Sequence, residues 1–261
     1  MRGLETIALE HRPAEGRTDH AVLLLFAPGH RPDVKAVRRL SRADGQFAVT
    51  LDGNYEEEAQ VWLELLANGL AFDMSGLAPG KPHGQLSDGH FFGLGQDFDP
   101  ATCEAAVLRP GPHLTSGGMM VPVLRCLAWV AAQLSALPHL RAICWQAART
   151  VCAPGYFHDA VSNWIEGGAF PGLGLTALVP QPDGSIVSEG LALFTGQELR
   201  LDRADGDEPS EGAKLALRLL HWLVENGRIE TVQSLAGPSG ETLFLEPDLP
   251  RGIVHVRRGF R

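Results

Sequence analysis

The chain has 261 residues with 22 basic and 31 acidic side chains, so it carries a net charge of −9. That balance disfavours non-specific attraction to phosphate backbones and argues against a nucleic-acid partner. Apolar residues make up 44% and charged residues 20%, the composition of a folded protein long enough to bury a real core.

Residues 1–20 are polar and hold Arg2, Glu5, Glu10, Arg12 and Asp19, with no apolar core of a signal peptide. The four cysteines are read as reduced thiols, and the expected location is the cytoplasm. Residues 20–27 (HAVLLLFA) form a short apolar run ended by Pro28 and Gly29, which predicts a buried strand. Val34, Val37 and Leu40 then recur at helical spacing, and residues 46–52 alternate as a strand. Glu56, Glu57 and Glu58 suggest a helix start, and Val61, Trp62, Leu65 and Leu66 suggest its apolar face up to Gly69. With a strand over 70–74, residues 1–78 are expected to be a β-α-β-α-β unit.

Residues 79–103 are rich in Gly, Pro, His and Asp and are expected to be a linker or functional loop, within which His83, Asp88 and His90 are candidate site residues. A C-terminal α+β unit is expected over 104–261. It opens with a strand over 104–109 and a long helix over about 118–136. Arg125 is the one charge between positions 117 and 137, but Pro122, Gln133 and Ser135 interrupt the stretch, so a buried helix is expected rather than a membrane span. A strand over 140–146 and a helix over 155–167 follow. Leu173, Leu175, Ala177 and Val179 alternate into a turn at Pro182, Asp183 and Gly184, and Val187, Leu191 and Leu193 alternate back as a hairpin. Pro209 and Gly227 bracket a helix, and strands over 229–235, 242–246 and 253–256 end the chain. The expected class is α+β, a mixed sheet with helices packed on it. The two halves share an outline that suggests a duplicated unit.

The run Ala142, Ile143, Cys144, Trp145, followed by Tyr156, Phe157, Trp164 and Ile165, resembles a bacterial domain-of-unknown-function family, numbered four-two-six-one. So does the segment from Ser188 to Leu201 (SEGLALFTGQEL and on), over a resemblance reaching from about residue 105 to 256. Members of that family carry a threonine where this chain has Glu189, and their glycine falls one place before Gly196. The resemblance implies a bacterial origin and a mixed fold, and it brings no catalytic residues with it.

The sharpest chemical candidate is the loop His113, Thr115, Ser116, Gly117 and Gly118 before a helix N-terminus, where free N–H groups are able to hold a small anionic ligand. The ordinary reading is a helix cap by Thr115 or Ser116. Gly172 and Gly174 match a dinucleotide pattern only loosely, because a strand follows rather than a helix. His83, Asp88 and His90 lack metal-ligand spacing, so no metal and no cofactor is expected. The acidic run Asp202, Asp205, Asp207 and Glu208 does not fit a calcium loop. Two functions remain: a non-catalytic binding or protein-interaction protein, or an enzyme acting on a small anion at 113–118.

Overall fold

The computed structural model describes residues 20–55, 60–84, 86, 88–114, 117, 118, 120–203 and 208–259. In chain order the elements are β1 (Val22–Phe26), α1 (Val34–Asp44), β2 (Ala48–Tyr55), β3 (Gln60–Ala67), β4 (Leu70–Ser75), β5 (His90–Phe92), β6 (Glu104–Pro110), α2 (Val121–Leu134), β7 (Leu140–Trp145), β8 (Thr150–Cys152) and α3 (Pro154–Ile165). Then come β9 (Ala177–Pro180), β10 (Ile186–Glu189), α4 (Ala192–Thr195), β11 (Glu198–Leu201), α5 (Pro209–Asn226), β12 (Gln233–Ala236), β13 (Thr242–Asp248) and β14 (Ile253–Gly259). The class is α+β, with helices on two mixed sheets ordered β2-β3-β4-β6-β1-β7-β8-β5 and β12-β13-β14-β11-β10-β9.

At the centre of the first sheet, β4-β6-β1-β7 run antiparallel to their neighbours. α1 leads from β1 past β6, β4 and β3 to β2, the hairpin β2-β3 returns the chain to β4, and α2 connects β6 to β7 past β1. This is the interleaved, split β-α-β arrangement of a ferredoxin-like unit, with β2 and β3 added on one side. Strands from both sides of residues 79–103 enter this one sheet, so the stretch does not divide it.

β1 explains its own composition. All five of its residues are buried. Val22, Leu24 and Phe26 join the large core under α1, α2 and α3, while Leu23 and Leu25 face the other way, with Ala105, Val107, Ala142, Cys144 and Val151. Leu86, Leu94 and Phe98 pack onto that second face. Residues 79–103 are therefore a cover over one face of the sheet. Arg31 ties down the start of the cover: its Nη2 donates to Gly80 O at 2.8 Å, its Nη1 to Gly76 O at 2.6 Å, and its Nε to Glu104 at 2.8 Å.

The expected helix over 56–69 is corrected to a strand, β3. Val61, Leu63, Leu65 and Ala67 are buried at period two, and β3 pairs with β4 across a tight turn. Asn68 and Gly69 both have positive φ, at 50° and 77°, as a two-residue hairpin of the Asn-Gly kind requires. The N-terminal outline is thus β-α-β-β-β. Glu56, Glu57 and Glu58 lie outside the described residues. The expected 173–193 hairpin shortens to β9 and β10, because Leu191 and Leu193 belong to the helical turn around α4 rather than to a returning strand. The last sheet region likewise begins later than expected, at Gln233.

The apolar stretch at 117–137 contains α2, which buries residues nearly all round. Among the described residues no helix is long and apolar enough to cross a membrane. Arg125 sits in this helix because its Nη2 donates to the carbonyls of Trp164 at 2.8 Å and Ile165 at 2.9 Å, satisfying the C-terminal end of α3. Its guanidinium also lies 5.1 Å from the centre of the Trp164 ring. Arg125→Leu is expected to lower unfolding stability by about 1–3 kcal/mol, since two carbonyls lose a charged donor. Urea titration of the two proteins measures this, and Arg125→Lys should recover part of the loss.

Candidate functional site

The two sheets meet where β8 begins. β7 ends at Trp145, a single 3-10 turn over Gln146–Ala148 follows, and Arg149 takes a left-handed conformation (φ 49°) before β8. Gly190, directly after β10, backs onto this turn. A Cβ at Gly190 would lie 2.6 Å from the Ala148 Cβ, so only glycine permits the approach. Behind it, Trp145, Trp164, Phe170 and Phe194 form one aromatic cluster, with ring centres 5.0–6.4 Å apart.

This close approach brings Glu189 onto Arg149. Nε of Arg149 donates to Oε1 of Glu189 at 2.5 Å, and Nη2 donates to Oε2 at 3.0 Å, the forked geometry of a strong charge-assisted pair. Nη1 reaches Asp88 at 3.2 Å, and Nε2 of His90 lies 3.0 Å from Oε2 of Glu189. The Arg149 hydrogen bond holds the Glu189 carboxyl below its ordinary range, against partial burial, with His90 adding to it. Glu189 in turn raises the Arg149 guanidinium. The structure therefore brings Asp88 and His90 together, in company with two residues that sequence reasoning had not singled out, Arg149 and Glu189.

A histidine oriented by a carboxylate resembles half of a general-base constellation, which also needs a nucleophile within hydrogen-bond reach. Among the described residues no hydroxyl or thiol hydrogen-bonds to His90. All four cysteines are buried, and burial pushes the Cys144 and Cys152 thiols up to about 12. The arrangement works as an ionic clamp between the first sheet and β10.

His83 is elsewhere. Its backbone N–H donates to Ala105 O at 2.9 Å, on the β6 side of the sheet. With β1, β7 and β8 standing between β6 and β5, His83 and His90 are separated by roughly 20 Å of sheet. Desolvation, and then the charge of Arg109, push the His83 imidazole down. Arg109 stands opposite the buried Asp73 in the β4–β6 register. His113 lies beyond the other end of β6, exposed in the 3-10 turn Pro112–Leu114. The three candidate histidines thus occupy three places.

Around 113–118, Thr115 and Ser116 lie outside the described residues. The N-cap of α2 is Met120, whose side chain makes no capping bond. Gly117 N–H donates to Leu114 O and Met120 N–H to Gly117 O, both at 2.9 Å, so these amides close turns. Pro122 has no N–H, and the Val123 amide donates to Met120 O. Gly118 is buried, and a Cβ there would press on Leu114 O at 3.2 Å. The described amides of Gly117, Met120, Val123 and Leu124 are thus engaged within the turn and the helix. Among the described residues no three His, Cys, Asp or Glu side chains converge to hold a metal ion. Gly172 and Gly174 lead into β9: Thr150 Oγ1 donates to Gly174 O at 2.5 Å, and Thr176 bonds Gly172 O. Asp202 faces Arg200 and Arg257, at 3.4 and 3.9 Å, while Asp205 and Asp207 lie outside the described residues.

The segment from Ser188 to Leu201 has a structural logic. The Glu198 carboxylate accepts the N–H groups of Gly190 at 2.9 Å, Ala192 at 3.1 Å and Leu191 at 3.2 Å, and the Ser188 hydroxyl as well. The Ser188 oxygen accepts the Leu199 N–H at 2.7 Å. Gln197 forms two bonds with the backbone of Ile229, at 3.0 and 2.8 Å. These polar residues shape the turn that delivers Gly190 and Glu189 to the junction. The signal for them was the spacing of a glutamate eight residues after a turn glycine, which sequence alone does not resolve into a cap.

Two outcomes follow. The folded Glu189 carboxyl titrates below its unfolded value, so its contribution is complete above the ordinary carboxylate range and is lost as pH falls through the folded value. Glu189→Gln is expected to destabilise by about 1 kcal/mol at neutral pH and by progressively less in acid, as read by urea titrations across that range. Glu198→Ala removes the acceptor for three amides and should be more severe, by about 2–4 kcal/mol, and because its turn presents Glu189, the double variant with Glu189→Gln should lose less than the sum of the two single losses when urea unfolding is measured.

No family model matches the chain, and no curated protein or solved structure matches it either.

Proposed function

We propose that the chain is a non-catalytic, cytoplasmic binding protein of bacterial origin, akin to the family of unknown function that it resembles, which engages a protein partner through the edge strand of its cover. The observation that carries this reading is β5. Residues 90–92 lie inside the cover and at the same time form the outermost strand of the first sheet, paired among the described residues with β8 on one side only. Phe91 on that strand is 47% exposed, with the Phe98 ring edge-on to it at 6.3 Å. An open strand edge offers backbone donors and acceptors to an added strand, and an exposed aromatic gives such a contact an anchor. The clamp below supports rigidity at this edge, since Gly89 passes so close to the Arg149 carbonyl that a Cβ would lie 2.6 Å from it.

The groups best suited to chemistry support the same reading, because Glu189, His90, Arg149, Ser188 and Glu198 are engaged in holding the fold. The enzyme alternative at 113–118 is less favoured, given Pro122 and the engaged amides of Gly117 and Met120.

The test is paired capture from native bacterial extract at several salt concentrations, using the wild-type chain and Phe91→Asp, an exposed change that leaves the core intact. A specific protein retained by the wild type and lost with Phe91→Asp supports the proposal. Equal capture by both chains removes β5 as the contact surface, and no specific capture at any salt sets the binding-protein reading aside.

A further inference from the structure

A cavity of about 340 Å³ opens between the first turns of α5 and the end of the second sheet, well away from β5 in the chain. Lys214 and Arg218 line it from α5, four residues apart and so on one helix face. Arg258 lines it from β14, on the face that also carries the buried Val254 and Val256 beneath α5. The opposing lip is the turn at Gly237 to Glu241, which contributes Ser239 and Glu241. In a chain of net charge −9, three cations from two elements converge on one concavity.

The acidic residues at the rim are directed differently. Glu241 turns its carboxylate back onto the Ser239 N–H at 2.8 Å, closing its own turn. Glu211 accepts Lys214 Nζ at 2.7 Å, and the charges of Arg218 and Arg258 act on its carboxyl as well. Arg218 forms no hydrogen bond or salt bridge with a described residue. Glu211 thus sits where several cations point, at the exposed mouth of a cavity with room for a larger anion.

We propose that this cavity binds a small phosphate-bearing molecule, with Arg218, Lys214 and Arg258 around the phosphate and the Ser239 hydroxyl as a further donor. Guanidinium forks match phosphate oxygens, and the volume lies within the range of small-molecule pockets. Glu211 is the internal competitor that such a ligand displaces from Lys214. This site is independent of the β5 contact, and either stands if the other fails.

The experiment is a titration of the full chain with inorganic phosphate and pyrophosphate, followed by amide and guanidinium NMR signals, with acetate and chloride at matched ionic strength. The expected result is saturable shifts confined to residues around Lys214, Arg218, Ser239 and Arg258, stronger for pyrophosphate. Arg218→Gln should weaken binding about tenfold or more, because a charged hydrogen-bonding partner is lost. Glu211→Gln, at an exposed position, should tighten it roughly two- to fivefold by removing the competitor. Three results overturn the proposal: no saturable shift at millimolar phosphate or pyrophosphate, equal shifts with acetate or chloride, or binding unchanged in Arg218→Gln.

Discussion

The burial of β1 on both faces is the constraint from which most of this architecture follows. A strand reading Val-Leu-Leu-Leu-Phe has no polar side to give to water, so both faces of the sheet around it must be covered. Helices α1, α2 and α3 cover one face, as the two split β-α-β connections demand. On the other face, among the described residues, the chain uses residues 79–103, whose Leu86, Leu94 and Phe98 supply the apolar contacts. The glycines and prolines of this stretch accompany an irregular path laid over one face of the sheet. Arg31, half-buried and bonded to the backbone of Gly76 and Gly80, fixes where that path begins.

The same economy governs the junction between the sheets. Gly190 allows backbone-to-backbone approach at Ala148, the aromatic cluster fills the space behind it, and the Arg149–Glu189 fork closes the exposed side. Each depends on the others: without the glycine the fork has no reach, and without Glu198 the turn that presents Gly190 loses three amide bonds. Glu189 supplies the acidic half of that fork.

Much of the fold was readable from periodicity. The continuous apolar run at 20–27, the all-round apolar helix containing Arg125 and the Pro-to-Gly bracket of α5 each became the element that their pattern implied. The failure at 56–69 has a specific cause. Val61, Trp62, Leu65 and Leu66 satisfy a helical spacing, but Val61, Leu63, Leu65 and Ala67 satisfy a strand spacing equally well, and the decisive signal was the Asn68-Gly69 pair. The site was less readable. Asp88 and His90 were found from composition, yet Arg149 and Glu189 come from segments roughly 60 and 100 residues away, and only tertiary pairing places them together. His83 and His113 share residue type with His90 but neither its strand nor its partners.

The pairing of β5 with β8 also sets an order of events during synthesis. His90 aligns with Thr150, so the outer strand of the cover cannot dock until roughly sixty further residues have left the ribosome. Until then the face holding Leu23, Leu25, Ala105 and Val107 lacks its remaining members Ala142, Cys144 and Val151. The second apolar face is therefore completed only by a strand that follows β6 by roughly forty residues, so its closure is a long-range event in the chain.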